Sequence, residues 1–108
     1  MPNNIATLFA AQTTNASSAA FNAIGTGTGS SRVQETFLTV YGTFGGASVQ
    51  LEYKAADDQW YSTNDDPFIS PGAYFALINT RLPYRLTISG AGESTTIGAT
   101  VYDVSTAA

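Results

Sequence analysis

Between residues 36 and 54 the chain carries two hydrophobic patterns separated by glycines. Phe37, Leu38, Val40 and Tyr41 form an aromatic and β-branched run before the turn. After it, Val49, Leu51 and Tyr53 alternate with Ser48, Gln50, Glu52 and Lys54. That period of two puts the apolar set on one face of a strand and the polar set on the other. Gly42, Gly45 and Gly46 sit between the runs, where a tight reversal needs positive φ. The stretch predicts a β-hairpin with one wet face. Downstream, Trp60 and Tyr61 open a short strand that ends before Pro67, which cannot donate to a ladder. Residues 73–79 have apolar side chains on both faces, so one face needs a second sheet and the other a neighbour or a partner. Residues 82–89 alternate again, with Tyr84, Leu86 and Ile88 on one side. In residues 95–104, Ile97, Ala99 and Val101 share a face. Turn signals recur at Asp57-Asp58, Pro71-Gly72 and Gly90–Ser94. Seven to eight short strands at this spacing predict an all-β, antiparallel β-sandwich, either jelly-roll or immunoglobulin-like.

The first part of the chain is patterned more weakly. Residues 1–4 read as a tail, and a single sandwich domain is expected over residues 5–108. Within it, Leu8 and Phe9 anchor one apolar segment, and Phe21 with Ile24 forms a second beyond a polar stretch. Residues 5–24 read either as two edge strands joined by a polar turn or as a partly extended arm. Residues 25–31 (Gly-Thr-Gly-Thr-Gly-Ser-Ser) read as a flexible connector. A phosphate loop would need a lysine after its last glycine, or a helix after it, and neither is expected here.

Composition narrows the partners. Charged residues make up 11% of the 108, and the polar share comes mainly from Thr, Ser, Asn, Gln and Gly. Four scattered cations (Arg32, Lys54, Arg81 and Arg85) against eight acids give a net charge of −4. No basic stripe tracks a phosphate backbone, so nucleic acid is not an expected partner. With no basic amphipathic helix and no long apolar run, neither is a membrane. No positive stretch followed by an apolar run opens the chain, so no secretion signal is expected.

The chain contains no histidine and no cysteine. The commonest general base, the thiol nucleophile and the usual zinc ligands are therefore missing together. No enzymatic activity, catalytic residue, cofactor or small-molecule substrate is expected. The sharpest polar cluster is Asp57-Asp58 with Asn64-Asp65-Asp66, which offers hard oxygens to a calcium ion. Its spacing lacks the regular calcium-loop pattern, and solvated turn acids are the plainer reading, so no metal site is assigned. Trp60, Tyr61, Tyr74 and Phe75 suit a sandwich core or an oligomer interface, with a sugar-stacking platform as the alternative.

Two further stretches carry a resemblance. Gly42-Thr43-Phe44-Gly45-Gly46-Ala47-Ser48-Val49-Gln50-Leu51-Glu52-Tyr53 and Leu82-Pro83-Tyr84-Arg85-Leu86-Thr87-Ile88-Ser89-Gly90, with the Trp-bearing strand between them, resemble a pattern of small β-sandwich structural proteins of tailed bacteriophages. The acidic Ala55-Ala56-Asp57-Asp58 turn departs from that pattern, which has a Gly-rich turn there. The resemblance implies a capsid decoration, or cement, protein on the outer surface of a virion. Its expected partners are the major capsid protein and copies of itself, a trimer among the forms expected. Leu8, Phe9, Phe21, Trp60, Tyr61, Tyr74 and Phe75 are the candidate contact residues. The alternative function is a carbohydrate-binding module of a tail fibre or host surface.

Overall fold

The structure is a computed structural model that describes residues 5–23, 33–63, 66–79, 82–102 and 104–106. Ten strands follow one another among the described residues. They are β1 (Ile5–Gln12), β2 (Ala16–Ser17), β3 (Phe21–Ala23), β4 (Val33–Thr43), β5 (Ser48–Lys54), β6 (Trp60–Ser62), β7 (Gly72–Asn79), β8 (Tyr84–Ser89), β9 (Thr96–Tyr102) and β10 (Val104–Thr106). They form two antiparallel sheets. The four-stranded sheet has the order β1-β9-β4-β7, and the six-stranded sheet runs β10-β3-β8-β5-β6, with β2 also on β8.

Pairing is nested: β1 lies against β9, β2 and β3 against β8, β4 against β7, and β5 against β6. One long hairpin rolled over itself produces this order, which is that of a jelly roll rather than an immunoglobulin fold. The strand count exceeds the seven to eight expected. Two- and three-residue strands such as β2, β3 and β10 are too short to show a period.

The core lies between the sheets and comes from the alternating positions. Val49 and Leu51 face inward from β5, Leu86 and Ile88 from β8, Ile97, Ala99 and Val101 from β9, and Leu38 and Val40 from β4. Burying a side chain of Val or Leu size stabilises the fold by about 1.5–3 kcal/mol, so this set dominates the driving force.

The hairpin expected at residues 36–54 does not form. β4 pairs with β7 and β9, whereas β5 pairs with β6 and β8. The glycine turn is instead a corner that carries the chain from one sheet to the other. Both flanking strands have an apolar face, and placing them in opposite sheets lets those faces meet. Phe44 and Ala47 are buried at the corner, where the Ala47 N–H donates to the Phe44 carbonyl at 2.9 Å. Buried Thr95 locks it from the β8–β9 turn. Its hydroxyl donates to the Phe44 carbonyl at 2.8 Å and accepts from the Gly92 N–H at 2.9 Å. Gly42 enters the corner at φ +101, and a Cβ there would overlap the Thr96 carbonyl oxygen, so only glycine fits.

Residues 5–23 are built into both sheets. β1 is an edge of the four-stranded sheet, and the chain then crosses to β8. The Asn15 Oδ1 accepts from the Ala91 N–H at 2.8 Å, and the Ser18 hydroxyl accepts from the Leu86 N–H at 3.0 Å. The polar residues that hid this segment in the sequence are the ones that stitch it to β8 and to the turn that follows. The tail at 1–4, Ile24 and the connector at 25–31 lie outside the described residues.

Candidate functional site

The outward positions of the four-stranded sheet line up across all four strands. Ile5 lies opposite Tyr102, and Phe37 lies opposite Phe75. The Phe37 ring sits 5.3 Å from Tyr102 and 5.1 Å from Phe75. The result is one apolar row, Ile5–Tyr102–Phe37–Phe75, about 14 Å long at the usual strand spacing. A second row runs alongside it as Thr7, Thr100, Thr39 and Ala73. Beyond that, Tyr41 lies opposite Gly98 and covers it. None of these ten residues carries a charge. Phe75 is the most open of the aromatics, at 65% exposed, and Ile5 and Tyr41 are also exposed.

The outer face of the six-stranded sheet has a different chemistry. The Arg85 Nε donates to the Glu52 Oε1 at 2.8 Å, and the Thr87 hydroxyl donates to the same oxygen at 2.8 Å. Ser17 and Thr87 share a hydrogen bond of 2.9 Å. The Arg85 guanidinium lies 4.4 Å from the centre of the Trp60 ring, a cation–π contact. The result is a closed chain of polar contacts ending on an aromatic.

Of the seven candidate contact residues, Phe9 and Phe21 are corrected to core positions. Their rings are buried between the sheets, and Phe21 stacks on Tyr84 with ring centres 6.2 Å apart. A ring in its own chain's core cannot also meet a partner. Leu8 is half-buried against the core. Tyr74 points inward and seals the sandwich beside β7. It stacks on Phe68 at 4.2 Å, and its hydroxyl donates to the Ser70 carbonyl at 2.6 Å. Trp60 is half-buried with Arg85 over its face. Only Tyr61 and Phe75 of the seven are exposed.

Tyr61 is engaged with the acidic turn. Its hydroxyl donates to the Asp57 Oδ2 at 2.6 Å, and the Gln59 N–H donates to the Asp57 Oδ1 at 3.0 Å. The Tyr61 hydrogen bond, and secondarily the Gln59 amide, lower the Asp57 pKa. The same bond, with the nearby negative charge, raises the Tyr61 pKa. Asp58 takes φ +66 in this turn and lies 3.9 Å from the Lys54 Nζ. Asn64 and Asp65 of the candidate calcium cluster lie outside the described residues, and Asp66 is exposed. Among the described residues no group of three or more His, Cys, Asp or Glu side chains is placed to hold a metal ion.

Sequence reasoning missed Ile5, Phe37, Tyr41 and Tyr102 as surface residues. The signal was present for Phe37 and Tyr41, which share the odd-numbered face of β4 opposite Leu38 and Val40. Nothing local links them to Ile5 and Tyr102, which join the row only through sheet pairing. Compared with family models, curated proteins and solved structures, the chain matches none of them.

Proposed function

We propose that the chain is a non-enzymatic virion structural protein, a capsid decoration (cement) protein. It binds the major capsid protein and copies of itself on the outer surface of the shell. The observation that carries this reading is the apolar row Ile5–Tyr102–Phe37–Phe75 on the outer face of the four-stranded sheet, flanked by the uncharged row Thr7–Thr100–Thr39–Ala73. Such a row on an outer sheet face is what a protein-contact surface uses, since water exclusion from aromatics drives association without desolvating charge. Jelly rolls serve many roles, capsid and lectin domains among them, so the fold is compatible with this function but does not select it. Many copies on one shell would multiply weak contacts into a strong clamp.

The test is co-sedimentation of the purified chain with phage capsid shells, scored with heat-induced shell rupture. Binding is expected, with later rupture and with loss of both effects in Tyr102→Arg. Shells that neither bind the chain nor gain resistance would overturn the reading.

A further inference from the structure

We infer that two copies of this chain join through the open edge of β7, in antiparallel register about a two-fold axis at Phe75, to make one eight-stranded outer sheet. The inference deepens the self-association within the proposed function. Its test uses the purified chain alone, so its failure and a failure to bind shells are read separately.

β7 is the last strand of its sheet, pairing only with β4 among the described strands. Its eight residues, Gly72–Asn79, contain no charge and no proline. Edge strands are usually guarded by a lysine, a proline, a bulge or shortness, and an unguarded edge is a template for another strand. The ladder with β4 has no shift from Gly72 to Asn79, so no bulge guards it either.

The direction of the backbone groups follows from one bond. The Asn79 N–H donates to the Tyr84 hydroxyl at 2.8 Å, and so points away from β4. Groups alternate along an antiparallel strand, so residues 73, 75 and 77 present N–H and C=O to the open edge. These are also the outward positions, on the face that carries Phe75 and Ala73. Opposed residues in a ladder point to the same face, so a self-pair must centre on a residue rather than between two. Centring on Phe75 opposes Ala73 to position 77 of the partner and gives about six N–H···O=C bonds.

A second copy is the partner because it continues what is already there. The aromatic row ends at Phe75, whose free side faces the edge. A two-fold axis at that residue sets a second Phe75 against it and doubles the row. Two chains of charge −4 repel, and they can approach along a strand that has no charge. A contact of about six backbone bonds and a pair of aromatics falls at the small end of stable interfaces, so the affinity is expected on the order of micromolar.

Sedimentation across a micromolar concentration range tests this. The mass is expected to move from 11.3 kDa toward twice that value. Phe75→Lys, which restores an edge guard on an exposed side chain, is expected to stay monomeric at the highest concentration while keeping its β-sheet circular dichroism. Phe75→Cys is expected to be joined into a dimer by a short thiol-specific bifunctional reagent. Directly opposed residues of this kind lie about 5.5 Å apart between Cα atoms, within the span of such a reagent. Thr39→Arg, in the middle of the outer face, is expected to dimerise like the parent chain. The inference is overturned by a parent chain that stays monomeric, by a dimer that survives Phe75→Lys, by failure of Phe75→Cys to cross-link, or by loss of the dimer in Thr39→Arg. That last result would put the partner on the face rather than at the edge.

Discussion

The Tyr41 ring rests on the backbone of Gly98, directly across from it in the β4–β9 ladder. A Cβ at Gly98 would overlap the Cε2 and Cζ atoms of that ring. The glycine therefore owes its place to close approach rather than to a turn. The tyrosine in turn shields a stretch of ladder that a side chain would otherwise cover, although Gly98 lies on the outer face.

Gly98→Ala is therefore expected to push the Tyr41 ring into solvent and to cost about 1–3 kcal/mol, the usual range for overpacking. In a Tyr41→Ala background the same change is expected to be neutral or mildly stabilising, since alanine is the better strand residue. Urea unfolding of the four proteins checks this as a coupling energy of at least about 1 kcal/mol. Additive losses would mean that the two residues do not interact.

Thr36 points inward from the four-stranded sheet with its hydroxyl buried and without a hydrogen-bond partner among the described residues. A buried hydroxyl left unsatisfied costs roughly 1–3 kcal/mol relative to a methyl of the same shape. Thr36→Val is expected to raise the urea midpoint by about 1 kcal/mol equivalent with an unchanged m-value. A fall in the midpoint would show that the hydroxyl has a partner in solution.

The bond between Tyr61 and Asp57 makes stability depend on pH at both ends of the scale. The Asp57 pKa is lowered in the folded state, so its contribution is present above the unfolded carboxylate value and is lost as pH falls through the folded one. The Tyr61 pKa is raised, so its contribution is present below the unfolded phenol value and is lost as pH rises through the folded one. Both groups are exposed, so the effects are small. Tyr61→Phe is expected to flatten the acid limb of a melting-temperature profile. Ultraviolet titration of the parent chain should show the Tyr61 ionisation, absent from Tyr61→Phe, raised above the ordinary phenol value. An acid limb identical in the two proteins would show that the bond is not kept in solution.

Arg85 is held between two partners, the Glu52 carboxylate and the Trp60 ring. Trp60 is the chain's one tryptophan, so its emission reports on the guanidinium. Glu52→Gln is expected to loosen Arg85 and shift the Trp60 emission, with a loss of about 1–2 kcal/mol for a half-buried charge-assisted bond. Arg85 covers a ring face that a sugar would have to stack on, so adding glycans is expected to leave the emission unchanged. A saturable glycan-dependent shift would favour the carbohydrate-binding alternative over shell decoration.

Period two is a local property, so a reader of the chain can find the strands and their inward faces without knowing the partners. Val49 and Leu51, Tyr84 with Leu86 and Ile88, and Ile97 with Ala99 and Val101 are all buried as their spacing predicts. Neighbour identity is a different matter. β4 and β5 follow each other across a glycine corner yet lie in different sheets, because a corner and a hairpin use the same turn residues. Ile5 and Tyr102 stand at opposite ends of the chain and become adjacent only when β1 pairs with β9. Sheet pairing is non-local, and alternation states which side of a strand is dry without naming the strand that lies beside it. The amino-acid order alone thus determined that two apolar layers form. Tertiary structure decided that Phe9 and Phe21 fill the space between them while Phe37, Phe75 and Tyr102 line up outside.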